Sequence, residues 1–162
     1  MLMPSTLAKL VDDHVNMNQL SVTVQYAVEG RFMPDRATIR RWIKAAMEAP
    51  MELTLRIVDE PEGRELNRFR NRHTATNVLT FVYSSAAPFI GDLVLCAPVV
   101  EKEAREQGKL LTHHYAHLVV HGVLHLQGYD HETDAEAVIM ENRECAILER
   151  LHIPNPYVKD GF

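Results

Sequence analysis

His121-Gly122-Val123-Leu124-His125-Leu126-Gln127-Gly128-Tyr129-Asp130-His131 is the stretch around which this 162-residue chain is organised. His121 and His125 are four positions apart, so on a helix of 3.6 residues per turn their imidazoles stack on one face and can close on a single ion. Gly128 supplies a residue that tolerates a left-handed backbone and can end that helix, after which Tyr129 and Asp130 turn the chain and bring His131 up as a third ligand. Three imidazoles leave one coordination position open on Zn²⁺ or a similar divalent transition ion, which suits a catalytic site better than a structural one. A single histidine is more often solvated or packed than ligating. Three of them, with glycine where the turn requires it, read as a metal site.

Upstream, a helix starts at about Thr112 and sends Leu111, Tyr115, Leu118, Val119, Val123 and Leu126 toward a core, with His114, His117, His121 and His125 on a neighbouring stripe. Downstream, Thr133 and Glu136 form a capping box for a last helix whose apolar face carries Ala137, Met140, Ile147, Leu148 and Leu151. Met140 reads as packing beneath the site. Glu144 falls on the same face, where a carboxylate needs a partner: either the second ring nitrogen of a ligand histidine or an arginine.

The first half interleaves strands and helices. Ser21 to Ala27 alternates as a strand, and a helix begun at Pro34 runs from about 35 to 48 with Ile39, Trp42, Ile43 and Ala46 on one stripe before Pro50. Leu53, Leu55 and Ile57 mark a second strand, and Asp59-Glu60-Pro61-Glu62 opens a short helix through Leu66 and Phe69. Residues 71–77 are a polar loop containing His73, Val78 to Val82 a third strand, Gly91 to Cys96 a fourth, and Pro98 opens a helix ending at Gly108. Asp92 is placed at that strand's start, as a structural residue or a hydrogen-bonding one near the site. The expected fold is α+β, a small mixed four-stranded sheet with about five helices, one of them a zincin-like helix bearing the metal site. A single domain spans 1–162, with 1–18 set apart as an N-terminal extension of no assigned role and 152–162 as a tail.

Composition narrows the function. Seventeen Lys and Arg against 22 Asp and Glu give a net charge of −5, which by itself works against holding a polyanion. Arg64, Arg68, Arg70 and Arg72 nevertheless fall within nine positions and form a local patch able to meet phosphates, or equally a solvated helix face. Cys96 and Cys145 lack any Cys-x-x-Cys pattern and read as packed residues in a reducing compartment. The first residues do not read as a secretory signal and no stretch reaches membrane-spanning length, so a soluble cytoplasmic protein is expected.

The spacing His-x-x-x-His-x-x-Gly-x-x-His is that of the metzincin peptidases, whose general-base Glu follows the first His; here that position is Gly122. The segments Glu65 to Arg70, Thr76 to Phe81 (Thr-Asn-Val-Leu-Thr-Phe), Gly91-Asp92-Leu93 and His121 to His131 together resemble, in order, the blocks of the YbeY family of bacterial metal-dependent endoribonucleases, over roughly residues 20 to 157. The resemblance implies a single-strand-specific endoribonuclease of ribosomal RNA maturation, at the small-subunit 3′ end, and of ribosome quality control. It also implies one Zn²⁺ or similar ion on His121, His125 and His131, which leaves His113, His114 and His117 as supporting or exposed residues. Arg70 aligns with the family's cleft arginine and is the catalytic candidate at phosphate, with Arg68 and Arg72 as alternative occupants. Single-stranded and ribosomal RNA, and the ribosome or its associated proteins, are the implied partners. Two rivals stand beside this reading: a metallopeptidase-like hydrolase, and a non-catalytic ribosome assembly factor with a structural metal.

Overall fold

Alternation writes the sheet. In the computed structural model, which describes residues 19–70 and 76–158, Leu20 and Val24 of strand β1 (Leu20–Ala27) point to the same face as Met51, Leu53, Leu55 and Ile57 of β2 (Met51–Val58). Helix α1 (Arg36–Ala46) crosses between them; Asp35 caps it by accepting the Thr38 N–H at 2.8 Å, and Ile39, Trp42, Ile43 and Ala46 form its buried stripe. The helix stops short of 48, because Met47 is already extended ahead of Ala49-Pro50 and Glu48 gives its N–H to Gln127. β1 runs parallel to β2 and β2 parallel to β4 (Phe89–Cys96), while β3 (Val78–Val82) pairs antiparallel with β4, giving the order β1-β2-β4-β3.

Helix α2 (Glu60–Asn67) continues into a 3₁₀ turn, Arg68–Arg70. After the β3–β4 hairpin come α3 (Ala97–Glu106), α4 (Leu111–Leu126) and α5 (Asp134–Arg150), the last opened by the expected capping box of Thr133 and Glu136. Among the described residues the α+β class, the mixed four-stranded sheet and the five helices are as the sequence indicated. Besides the end of α1, the start of β4 differs: it begins at Phe89, not Gly91, because Phe89 donates its N–H to Pro50 O at 2.9 Å and opens the ladder to β2 there. Asp92 is therefore inside the strand. Residues 1–18, Arg72, His73 and 159–162 lie outside the described residues.

The main core lies on one face of the sheet, between β1, β2, β4 and helices α1, α4 and α5. A smaller cluster of Val58, Leu79, Val94 and Cys96, with Leu66 of α2 against it, lies on the other face. Two glycines let α4 come down close to the sheet. A Cβ on Gly122 would stand 2.4 Å from Leu93 Cδ1, and one on Gly91 would stand 2.4 Å from Leu126 Cδ2 and 2.6 Å from Phe81 O. Gly91-Asp92-Leu93 is thus the seat of the helix that carries His121 and His125.

Candidate metal centre

Helix α4 places His121 and His125 one turn apart, with ring centroids 6.5 Å apart and planes 7° from parallel. The helix then ends as the sequence requires. Gly128 takes φ +103°, its N–H reaches His125 O at 3.1 Å, and the Tyr129 N–H reaches Leu124 O at 3.2 Å, the paired bonds of a Schellman cap. Past it, Asp130 Oδ1 accepts the His131 N–H at 2.8 Å, and the His131 ring comes within 5.5 Å of His121 and 6.1 Å of His125, centroid to centroid. The structure brings the three expected histidines together.

The second nitrogen of two of these rings decides what the first can do. His125 Nδ1 lies 2.9 Å from Tyr129 O, and a carbonyl only accepts, so Nδ1 carries the hydrogen and Nε2 keeps its lone pair. His121 Nδ1 lies 3.0 Å from Glu144 Oε2. Glu144 is fully buried; burial pushes its carboxyl up, but hydrogen bonds from His117, His121 and Tyr157 outweigh that and bring it down to about 2. It is a carboxylate at neutral pH, so His121 too donates from Nδ1 and presents a bare Nε2. That is the tautomer an ion requires, held by the acceptors that commonly back metal-binding imidazoles. Among the described residues no group of three or more His, Cys, Asp or Glu side chains is arranged to hold an ion as it stands, and holding one here would take a side-chain adjustment. His131, exposed and with no hydrogen bond on its ring among the described residues, has the freedom to make it. The donor chemistry fits a borderline divalent ion.

The remaining letters of the motif serve the turn. Gln127 donates from Nε2 to Ala46 O and Val123 O and accepts the Glu48 N–H, bolting the end of α4 to the end of α1. Tyr129 OH and Arg143 Nε both donate to the Glu48 carboxylate, so the residue whose carbonyl orients His125 is fixed at both ends.

Of Glu144's two expected partners the structure realises the histidine, and adds two donors: His117 Nε2 at 2.7 Å and Tyr157 OH at 2.5 Å, both on Oε1. His114 is buried against Glu103 at 2.9 Å, away from the three candidate histidines, and Met140 packs in the core. Asp92 does not serve the metal centre: neighbouring residues on a strand face opposite ways, Leu93 faces α4, and Asp92 accepts from Tyr83 OH at 2.6 Å on the other face. The sequence reading missed Tyr157, whose role depends on a tail folding back over α4 and leaves no periodic trace.

In the arginine patch, Arg64 pairs with Glu60 at 2.8 Å and Arg68 with Glu65 at 3.1 Å, both exposed. Such pairs are worth roughly 0–1 kcal/mol and yield readily to a phosphate. Arg70 closes the 3₁₀ turn; its side chain lies outside the described part of the structure, as does Arg72.

Known proteins resemble this chain over most of its length. The family model described as Endoribonuclease YbeY matches residues 15–152. A protein named Endoribonuclease YbeY from Nitrosomonas europaea is 55% identical over 141 residues, covering 86% of each chain. Another of that name from Thiobacillus denitrificans is 58% identical over 142 residues, covering 86% of this chain and 97% of the relative. The solution structure of TM1509 from Thermotoga maritima shares the fold, with a TM-score of 0.50 at 24% identity over 86% of this chain and 99% of that one.

Proposed function

Because the chain belongs to the Endoribonuclease YbeY family and is a nuclease, we propose that it cuts single-stranded ribosomal RNA at a site built on His121, His125, His131 and Arg70. The observation that carries the metal part is the pair of Nδ1 hydrogen bonds, to Glu144 and to Tyr129 O, which leave two Nε2 lone pairs on one helix face beside His131. When bound, a divalent ion of the Zn²⁺ type supplies Lewis acidity and an open coordination position. The chain's residues do the rest. The three imidazoles hold and orient, Glu144 keeps His121 in its tautomer, and the Arg70 guanidinium holds a non-bridging phosphate oxygen and offsets the charge that builds on the phosphorus during displacement.

The family's work on RNA agrees with maturation of ribosomal RNA, at the small-subunit 3′ end, and with ribosome quality control in the cytoplasm. With a net charge of −5, docking on the ribosome or its associated proteins supplies what bulk electrostatics do not. No helix among the described residues is long and apolar enough to cross a membrane. A peptidase reading is disfavoured by packing: Gly122 is buried and a side chain there runs into Leu93, so the position that bears the metzincin base has no room for glutamate.

The test is cleavage of a labelled single-stranded RNA beside a peptide substrate. Cleavage of the RNA alone, abolished by chelator and restored by Zn²⁺ or a similar ion, is expected. Peptide cleavage, or RNA cleavage indifferent to chelator, would overturn the reading.

A further inference from the structure

We propose that His117 and Tyr157 are positioning residues of the metal centre: they clamp Glu144 through Oε1, reserve Oε2 for His121 Nδ1, and make the C-terminal segment part of the ion-binding apparatus. The inference rests on reading His121 as a ligand and adds what holds the residue that holds it.

Glu144 sits on the buried side of α5, where a carboxylate with one partner would be free to swing and costly to keep charged. Two donors converge on Oε1, the Tyr157 hydroxyl at 2.5 Å and His117 Nε2 at 2.7 Å, and these two also meet each other at 3.2 Å with their rings edge to face. With Oε1 engaged twice, the carboxylate plane is fixed and Oε2 points at His121. His117 Nδ1 is buried without a partner. A bare lone pair is cheaper to bury than an N–H, so the ring keeps its hydrogen on Nε2, aimed at Glu144.

The tail that delivers Tyr157 is anchored independently of the hydroxyl. Ile153 packs into the core and gives its N–H to Leu148 O at 2.9 Å, Lys109 Nζ reaches Pro156 O at 2.9 Å, and the Tyr157 N–H reaches Asn155 Oδ1 at 2.8 Å. Tyr157 as a residue is 46% exposed, so its ring is not what the core needs. The hydroxyl is the part turned inward, and Tyr157→Phe removes it while leaving the ring.

The experiment measures zinc affinity by competition with a chromogenic chelator, together with thermal melting and the imidazole ¹H–¹⁵N NMR signals of the zinc-free protein. Tyr157→Phe and His117→Ala should melt as folded proteins, bind zinc more weakly by on the order of tenfold, the lower end for groups that hold ligands, and lose the single Nδ1–H tautomer signature of His121. His117→Gln, which keeps an N–H donor, should recover part of the affinity. In a Glu144→Gln background, Tyr157→Phe should cause no further loosening. Parent-like zinc affinity and an unaltered His121 signature in Tyr157→Phe would overturn the clamp, as would an equal loss in the Glu144→Gln background. Parent-like zinc affinity in His121→Ala would instead remove the metal-centre reading, a failure recognisable as separate because the tautomer signal of the zinc-free protein still reports on the clamp.

Discussion

Replacing Gly122 by alanine sets two effects of opposite sign against each other, and the structure says which wins. An alanine inside a helix is favoured over glycine by about 1 kcal/mol from backbone entropy alone. Against this, the new Cβ would stand 2.4 Å from Leu93 Cδ1 and 3.0 Å from Cδ2 and Cγ, and Leu93 is fully buried. Overpacking a well-filled core costs about 1–3 kcal/mol, so the net effect is a loss of up to about 2 kcal/mol. Because Gly122 adjoins His121, any lifting of α4 from the sheet moves a proposed ligand, and zinc affinity should fall with stability. Urea midpoints of the zinc-free protein, beside zinc competition titrations, measure both. The decisive comparison is made in a Leu93→Ala background: with the obstacle gone, the propensity term stands alone and Gly122→Ala should become stabilising, by up to about 1 kcal/mol. If Gly122→Ala stabilises the parent, or is equally destabilising with and without Leu93, close seating of the helix is not what glycine is for.

Arg70→Ala should keep fold and zinc while losing about 2–4 kcal/mol of barrier lowering in single-turnover RNA cleavage, and Arg70→Lys should fall between alanine and parent; an unaffected Arg70→Ala with impaired Arg68→Ala or Arg72→Ala would move the role to a neighbour. His152 ends α5 at φ +60°, a left-handed conformation that costs a side chain about 1 kcal/mol, so His152→Gly should raise the urea midpoint slightly, and a lowered one would show that the imidazole has an unrecognised contact. Glu144, held at about 2 against an ordinary 4.5, contributes stability that is fully present above pH 4.5 and lost as pH falls toward 2. Zinc-free parent and Glu144→Gln should therefore converge by about 3 kcal/mol across that window in urea titrations, and parallel curves would show that the carboxylate is not held ionised.

What the sequence disclosed and what it withheld divide along a physical line. His121, His125, Gly128 and His131 are close in the chain, so helix period and cap chemistry suffice to bring them together, and the capping box at Thr133 and Glu136 is equally local. Glu144 was legible because a carboxylate on an apolar stripe demands a partner, though not which one. The seating of Gly122 on Leu93, the bolt from Gln127 to Ala46 and the return of Tyr157 to Glu144 each depend on segments meeting across the fold, and local patterning carries no record of such meetings. The sequence leaves Asp92 between a structural role and one near the site, and the choice of the first follows from Leu93 facing α4, again a meeting across the fold.

The central claim is that one ion, held by three histidines, makes this chain an RNA-cutting enzyme. Its most direct test is to strip the protein with chelator and titrate Zn²⁺ back while following single-turnover cleavage of a single-stranded RNA in the parent and in His131→Ala. The parent should regain full cleavage at one equivalent of Zn²⁺, and His131→Ala, deprived of the ligand delivered by the Gly128 turn, should remain inactive at that ratio while still melting as a folded protein. Cleavage by His131→Ala at one equivalent, or by the stripped parent with no ion added, would contradict the account.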